Sequence, residues 1–159
     1  MRIRLGLGRR HEVSVIASMS RNLIEHGIPC LWDEDRISRC IFDSDCVVLV
    51  ARDVRRIAGF AIAEFCDEKV HLNLFAVHPG YQRQGVGRKL LKWLESSAQT
   101  AGCYFMCLEV RDSNNKAINF YKKYGFSELD LKHGYYAGQE DAILLTRELK
   151  TVFMPVVPC

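Results

Sequence analysis

The sequence predicts an α/β (α+β) fold, in which a mixed, mostly antiparallel sheet of six to seven strands is flanked by about four helices. Near the N-terminus, apolar residues recur at helical spacing. They then give way to short apolar runs divided by polar turns, which is typical of an antiparallel meander. The strand–helix–strand step over residues 70–110 predicts a right-handed crossover between two parallel strands.

Two helices and the meander are expected in the first half of the chain. Apolar spacing predicts a helix over 12–26, which Gly27 and Pro29 end. A second helix is expected to run to Phe42, with Asp33 as its N-cap. The strands are expected at 2–5, 47–51, 57–65 and 70–77.

In the second half, strands and helices alternate. In order, the sequence predicts a helix over 87–100, a strand over 104–110, a helix from Asn114 to Gly125, a strand from Phe126 and a strand over 142–149. A polar, glycine-containing loop is expected over 132–141.

The composition is typical of one globular domain. The chain has 159 residues, of which 48% are hydrophobic. No run reaches the ~18 apolar residues of a membrane-spanning helix, and the N-terminus lacks the apolar segment of a signal peptide. A net charge of +3 is too small to predict a nucleic-acid partner. We therefore expect a single domain over 1–150 and an apolar tail over 151–159, which either docks on a surface or frays.

The seven cysteines are scattered and odd in number, and they include no Cys-x-x-Cys pair. Cys103 and Cys107 lack histidine partners at metal-ligand spacing. We expect reduced thiols, a cytoplasmic location and no metal site.

The turn after the strand 70–77 is rich in glycine and reads Gln82-Arg83-Gln84-Gly85-Val86-Gly87-Arg88. The first N–H groups of a helix are unpaired and the macrodipole adds positive charge there, so such a turn can bind an anion. It is not a dinucleotide fingerprint, because Leu90 stands where the third glycine is required. It is not a P-loop either, because Gly87 is followed by Arg88-Lys89-Leu90 rather than by Lys-Ser/Thr. We predict a different phosphate-bearing ligand, with an ordinary turn on a basic surface as the alternative.

Three motifs together resemble the GNAT superfamily of acyl-CoA-dependent N-acetyltransferases. Val77-His78-Pro79 with the glycine turn looks like its coenzyme A pyrophosphate loop. The segment from Leu108 to Phe126 is similar to its signature of the fifth strand and the next helix, and the segment from Tyr135 to Leu144 is similar to a third motif. The motifs look most like those of bacterial ribosomal-protein-alanine N-acetyltransferases. The resemblance covers residues 70–149, and His78 departs from it, since relatives often have an acidic residue there.

The resemblance implies that acetyl-CoA is the cosubstrate and that the fourth and fifth strands splay apart to receive it. The pantetheine would pair with free backbone at Ala76 and Val77, where a β-bulge is expected, and the N–H of Val77 would polarise the thioester carbonyl. Asn114 is a helix N-cap, a cofactor ligand or both. The expected cofactor-binding residues are Phe75, Ala76, Val77, Gln82, Arg83, Gln84, Gly85, Val86, Gly87, Arg88, Asn114 and Tyr121.

The reaction requires a general base, because an amine acceptor is an ammonium near pH 7 and cannot attack until it loses a proton. The strand 70–77 contains no carboxylate. Many members of the superfamily carry a glutamate on the fourth strand, but the resemblance to the ribosomal-protein-alanine group places Glu109, on the fifth strand, at the position of that group's catalytic glutamate, and a solvated strand carboxylate is the alternative. Tyr121 matches the tyrosine that protonates the departing thiolate, and a core aromatic residue is the alternative.

The acceptor groove is expected to be lined by Tyr135 and Tyr136 together with Glu109, while Glu140 and Asp141 would attract a positively charged N-terminus. For the residues of this loop, ordinary loop surface is the alternative. The resemblance implies an N-acetyltransferase that acts on a primary amine, such as the N-terminal α-amino group of a ribosomal protein. A small-molecule amine acceptor and a non-catalytic coenzyme A-binding module are the alternatives. We expect a monomer or homodimer with no nucleic-acid or membrane partner.

Overall fold

The computed structural model describes residues 2–54 and 56–149, which form one seven-stranded sheet in the order β1-β2-β3-β4-β5-β7-β6 with four α-helices. The strands are β1 (Arg4–Leu7), β2 (Cys46–Arg52), β3 (Ile57–Cys66), β4 (Lys69–Val77), β5 (Phe105–Arg111), β6 (Ser127–Tyr136) and β7 (Glu140–Glu148). The helices are α1 (Val13–Leu23), α2 (Glu34–Phe42), α3 (Val86–Thr100) and α4 (Asn115–Lys123). The predicted tail, 151–159, lies outside the described residues.

The predicted topology is confirmed. β4 and β5 are parallel and joined through α3, whereas the other neighbouring strands are antiparallel. Asp33 caps α2, because its side chain accepts a hydrogen bond from the N–H of Arg36.

The predicted loop over 132–141 is wrong. β6 continues to Tyr136 and β7 begins at Glu140, so only the turn over 137–139 remains, with positive φ at Ala137 and Gly138. β6 is an edge strand and is mostly exposed, so its sequence lacks the alternation of buried and exposed residues that identifies a strand.

Each face of the sheet carries one apolar cluster. On one face, α3 and α4 cover a cluster that includes Leu90, Leu94, Met106, Leu108 and Tyr121. On the other face, α1 and α2 cover a cluster that includes Ile16, Ile37, Phe60 and Leu74. Because α1 and α2 pack on β2 and β4, the second face of β5, β7 and β6 stays open to a groove.

A β-bulge in β4 lies at Asn73, and not at Ala76 and Val77 as the sequence predicted. On β3, Ile62 and Ala63 are adjacent, yet their partners on β4 are Leu74 and Leu72, so Asn73 is the extra residue. The bulge also changes which side chains face which cluster. Val70 and Leu72 pack with α3, whereas Leu74 and Ala76 pack with α1 and α2.

The predicted splay of β4 and β5 is confirmed. The two strands pair only from Lys69 to Leu72 on β4, and from Asn73 onwards they separate. The N–H of His78 donates to the carbonyl oxygen of Ala58 on β3 at 2.8 Å. Since successive N–H groups of a strand point in opposite directions, the N–H of Val77 points to the side that β5 has left.

The connection between α1 and α2 is held by a buried carboxylate. Glu25, 5% exposed, accepts hydrogen bonds from Ser20 Oγ at 3.0 Å and from the N–H groups of Leu31 at 2.5 Å and Trp32 at 3.2 Å. At the end of β5, Arg111 Nη2 donates to the carbonyl oxygen of Ile24 at 2.8 Å. The connection therefore forms a fixed wall beside the C-terminal end of β5.

We expect Glu25→Ala to lower the free energy of unfolding by about 2–4 kcal/mol, because it removes the acceptor of three hydrogen bonds at a buried position. Urea unfolding measures the loss. Glu68→Ala is the matched control, because Glu68 is exposed and only its backbone is bonded, and its effect should stay below about 0.5 kcal/mol. Equal losses in the two variants would contradict the assigned role of Glu25.

Candidate active site

A cleft of about 580 Å³ lies where β4 and β5 separate. The expected cofactor-binding residues all line it except Gln84, whose Nε2 donates to the carbonyl oxygen of Gly80 at 3.3 Å. Other lining residues are Leu23, Tyr81, Lys116, Ala117, Asn119, Phe120 and Lys123. A wider groove of about 760 Å³ between Leu5 and α3 is lined by none of the expected site residues, so the first cleft is the candidate site.

The glycine turn presents a row of backbone donors to the cleft. Arg83 and Gly85 have φ of 61° and 82°, and Gly85 is the N-cap of α3. The first helical N–H with a backbone acceptor is that of Lys89, which donates to Gly85 at 3.0 Å. Within the described part of the chain, the N–H groups of residues 83–88 have no acceptor. A nest of N–H groups at a helix start binds phosphate well.

Gly87 allows the start of α3 to approach two aromatic rings. A Cβ atom at this position would lie 3.1 Å from Phe120 Cζ and 3.2 Å from Phe75 Cζ. The two rings stack with their centroids 5.7 Å apart. The turn is also tied across the cleft, because Lys116 Nζ donates to Gln82 Oε1 at 2.7 Å and Gln82 Nε2 donates to the carbonyl oxygen of Val77 at 3.1 Å.

The charges that line the cleft have one sign. Arg83, Arg88, Lys116 and Lys123 contribute cations, and none of the lining residues is acidic. Such a lining attracts a ligand with several negative charges. The nest, the cations and the free edge of β4 fit the pyrophosphate, the third phosphate and the pantetheine arm of coenzyme A.

Tyr121 lies at the inner end of the cleft, and it is 6% exposed. The rings of Phe120, Phe126 and Phe75 surround it, with centroids 5.4, 5.6 and 5.8 Å away. Burial raises the pKa of the phenol above its ordinary value of 10, so the hydroxyl stays protonated. Tyr121 is therefore a core aromatic residue that also lines the cleft and keeps its proton. Asn114 similarly caps α4 through Ala117 N–H and lines the cleft.

Glu109 is not the solvated carboxylate that was the alternative. Its side chain is 8% exposed and lies between two cations. His71 Nε2 donates to its Oε2 at 2.5 Å, and Lys132 Nζ donates to its Oε1 at 2.8 Å. Burial raises the pKa of Glu109, but the hydrogen bonds of His71 and Lys132 outweigh it and lower that pKa to about 2.

His71 was missed by the sequence analysis, which searched the fourth strand only for a carboxylate. His71 pairs with Cys107 on β5. Because side chains alternate along strands, Cys107 and Glu109 lie on one face of the sheet, and His71 lies on the same face. This alternation could have predicted the His71–Glu109 pair from the sequence.

The partners of His71 determine its protonation. Its Nδ1 donates to Asn73 Oδ1, and that amide is oriented by a 2.9 Å hydrogen bond from Asn73 Nδ2 to Glu64 Oε1. A second proton on Nε2 is favoured by Glu109. The hydrogen bond with Glu109 raises the pKa of His71 above 6.5, although burial lowers it.

Tyr135 and Tyr136 lie at the end of β6 and not in a loop, and their rings are perpendicular with centroids 4.9 Å apart. Burial raises the pKa of both phenols, and the charge of Glu109 adds to it, so both rings lie close to that carboxylate. The positively charged head of Arg111 lies 5.6 Å from the centroid of the Tyr136 ring. These residues border the groove that leads to Glu109.

The two acidic residues expected to attract an N-terminus are already engaged. Glu140 is paired with Arg111 at 3.2 Å. Asp141 accepts hydrogen bonds from the N–H of Gly134 at 2.8 Å and from His133 Nδ1 at 3.3 Å. The negative charges of Glu140 and Asp141 are therefore largely compensated by partners within the protein.

The described residues contain neither a metal-binding cluster nor a membrane-spanning helix. No group of three or more His, Cys, Asp or Glu side chains is arranged to hold a metal ion there. In the same residues, no helix is long and apolar enough to cross a membrane.

Comparison with known proteins connects this geometry to a family. The model of the acetyltransferase (GNAT) family matches residues 16–126. Ribosomal protein bS18-alanine N-acetyltransferase from Salmonella typhimurium is 41% identical over 93 residues, which are 57% of this chain and 63% of that protein. The N-alpha-acetyltransferase of Sulfurisphaera tokodaii is 40% identical over 83 residues, which are 52% of this chain and 50% of that protein. The chain thus spans less than two thirds of the curated relatives it matches.

A solved structure agrees over a longer stretch. The crystal structure of the ribosomal-protein-S18-alanine N-acetyltransferase from Escherichia coli matches with a TM-score of 0.81 and 26% identity, and the match covers 98% of this chain and 99% of that one. Ard1 from Thermoplasma volcanium shares the fold, with a TM-score of 0.83 and 22% identity.

We expect Gly87→Ala to weaken coenzyme A binding about tenfold, because the new methyl group must displace the Phe75 and Phe120 rings that line the cleft. Calorimetric titration with coenzyme A measures the change. Gly80→Ala is the control, because Gly80 is exposed and outside the cleft lining. The same affinity in both variants would argue against the close approach at Gly87 as a binding determinant.

Proposed function

Because the chain belongs to the acetyltransferase (GNAT) family, we propose that it transfers an acetyl group from acetyl-CoA to a primary amine, the α-amino group of a protein N-terminus. The observation that carries the proposal is that a nest of backbone N–H groups and a buried tyrosine line one cleft, while a carboxylate–histidine pair, Glu109 and His71, lies where β4 and β5 begin to separate. The names of the relatives support a protein N-terminus as acceptor, such as that of a ribosomal protein. A cytoplasmic location and a monomer or homodimer stay predictions from the sequence.

Acetyl-CoA would be held by three features of the cleft. The N–H groups of residues 83–88 would bind its pyrophosphate, and the cations of α4, Lys116 and Lys123, would lie near its remaining phosphate. The backbone of β4 beyond Leu72, unpaired with β5, would hydrogen-bond to its pantetheine arm. The bound molecule supplies a thioester as acyl donor and a thiolate as leaving group.

The proposed general base is the pair of Glu109 and His71. Glu109 alone, with a pKa of about 2, is poorly matched to an ammonium donor. Two groups that share a hydrogen bond titrate together, and here the first proton that the pair takes up resides on His71, whose pKa is raised. Glu109 would contact the acceptor ammonium, and His71 Nε2 would hold the proton that leaves it.

The proposed oxyanion donor is the N–H of Val77, which points to the open side of β4. The proposed general acid is Tyr121, whose buried phenol keeps its proton until a thiolate develops beside it. A phenol with a raised pKa donates a hydrogen bond to a thiolate and need not transfer the proton completely before the product leaves.

Two other functions compete with this proposal. A small-molecule acetyltransferase would need a closed acceptor pocket, whereas Tyr135, whose ring centroid lies 5.4 Å from the Lys132 Nζ bonded to Glu109, is 45% exposed. A non-catalytic coenzyme A-binding module would not need His71 between Glu109 and Asn73. Both observations favour the peptide acetyltransferase.

The test of the proposal is acetyl transfer from acetyl-CoA to a panel of amines. The panel contains peptides with free N-termini, the same peptides with blocked N-termini and small polyamines, and mass spectrometry locates the acetyl group. We expect transfer to free N-termini only. Transfer to polyamines alone would favour a small-molecule acetyltransferase. Binding of coenzyme A without transfer to any amine would favour a non-catalytic binding module.

With the acceptor identified, we expect Glu109→Gln to lower kcat/KM at least 100-fold and Tyr121→Phe about 10- to 100-fold, because each removes a proton-transfer group. Glu68→Gln and Tyr104→Phe are matched controls, because these residues are exposed and contribute only backbone contacts. Unchanged turnover in both active-site variants would contradict the mechanism.

The pH dependence tests the role of His71. The base acts when the pair has lost its proton, so kcat/KM should rise with pH through an apparent pKa above 6.5. Asn73→Ala removes one hydrogen bond that raises the pKa of His71. The rising limb of the kcat/KM profile should therefore move to lower pH in this variant. The acceptor amine titrates identically in both proteins, so a limb that does not move in Asn73→Ala would exclude His71 as the group observed.

A further inference from the structure

Lys132 brings a primary ammonium to the carboxylate at which the acceptor ammonium should arrive. Its Nζ lies 2.8 Å from Glu109 Oε1 and 5.4 Å from the centroid of the Tyr135 ring. An alkylammonium on a carboxylate beside an aromatic ring has the chemistry expected of a bound amine acceptor. A residue of the chain itself therefore makes this contact.

Both oxygens of Glu109 are occupied. His71 bonds to Oε2 and Lys132 to Oε1, and the carboxylate is only 8% exposed. An acceptor ammonium can therefore reach this buried group only when one of the two cations withdraws.

Lys132 is the cation that can withdraw. His71 is fixed on its second nitrogen by Asn73 and belongs to a central strand. The side chain of Lys132 is 39% exposed and belongs to β6, the edge strand, whose pairing with β7 becomes irregular directly after Lys132. Its stem can swing into solvent without disturbing the core.

We propose that Lys132 is a positioning residue, which occupies the acceptor's place on Glu109 in the resting protein and is displaced by the acceptor ammonium in each turnover. This inference rests on the proposed function. Exchange of one ammonium for another keeps the buried carboxylate paired throughout, and so avoids the cost of an uncompensated buried charge. It also favours acceptors that arrive as cations over neutral nucleophiles.

The surroundings of Glu109 identify Lys132 as the exchangeable partner. His71 and Lys132 are the cations that hydrogen-bond to the carboxylate, and the neutral side chain of Tyr135 also interacts with it. The other titratable or charged groups near it and its tyrosine neighbours come from β5, β6, β7 and α2, and they are Cys107, Arg111, Tyr135, Tyr136, Glu140 and Arg36.

The test compares Lys132→Met and Lys132→Arg with the wild type. Lys132→Met has no competing ammonium, so the KM for a peptide with a free N-terminus should fall at least threefold. Lys132→Arg places a guanidinium on the carboxylate, which it can grip with two hydrogen bonds, so the KM should rise at least threefold. Lys122→Met is the control, because Lys122 pairs with Glu128 on the exposed surface, and its KM should not change.

A second readout needs no acceptor or turnover. NMR follows the ¹³C signal of the Glu109 side-chain carboxyl as the pH is changed. The signal is assigned because it is missing from the spectrum of Glu109→Gln. In Lys132→Met the midpoint should lie above that of the wild type, since one of its two cationic partners is gone.

The outcomes separate the two claims. An unchanged midpoint in Lys132→Met, or KM values that do not move in opposite directions in the Met and Arg variants, would overturn the role of Lys132. A wild-type protein that acetylates no amine would overturn the proposed function, even if the midpoint moves as expected.

Discussion

The separation of β4 from β5 is the constraint on which the rest of the site depends. The two strands pair for four residues, and then the extra residue at Asn73 turns β4 away. Three consequences follow from this one bulge. It exposes the backbone edge that precedes the glycine turn, and it moves Leu74 and Ala76 into the α1–α2 cluster. It also places the Asn73 amide where it can fix the Nδ1 proton of His71. The residue at which the strands part thus also orients the imidazole that we propose as part of the base.

The charges on the two sides of the opening are arranged differently. The cofactor cleft has four cationic residues and no acidic lining, so it suits a ligand whose phosphates compensate those charges. The acceptor side has a buried carboxylate that is already compensated within the protein by His71 and Lys132. A buried carboxylate without partners would be costly, and one with permanent partners could not receive a substrate. The arrangement satisfies both demands because one partner is fixed in the centre of the sheet and the other belongs to an exposed edge.

Local signals allowed much of the fold to be predicted from the sequence. Helix caps, the change from helical spacing to short apolar runs and the glycine turn each depend on neighbouring residues, and they led to the order of the elements and to the parallel pairing of β4 and β5, whereas the splay was implied by the family resemblance. The residues that the sequence did not reveal depend on distant contacts. Lys132 reaches Glu109 from a strand 23 positions along the chain, and His71 reaches it from 38 positions away. The bulge was expected at Ala76 and Val77, but strand register is decided by which side chains fit the two clusters, and this places it at Asn73. The strand from Phe126 was predicted, but its second half, 132–136, was predicted as loop because an exposed edge strand need not alternate.

The opening in the sheet is also consistent with the proposal that an acid and a base serve one acyl transfer without neutralising each other. Tyr121 belongs to the apolar cluster beneath α3 and α4, whereas Glu109 and His71 face the open groove on the other side of the sheet. In an intact sheet, a continuous layer of backbone would separate these two environments. In the proposed reaction, a thioester held where β4 and β5 part would be accessible from both faces: the ammonium and the proposed base would approach from the groove, and the phenol from the apolar cluster. The dry side keeps Tyr121 protonated, because burial raises its pKa. The groove side keeps Glu109 ionised, because two cations lower its pKa. Each face of the sheet therefore holds its group in the protonation state that the start of the proposed acyl transfer requires, a protonated phenol on one side and an ionised carboxylate on the other.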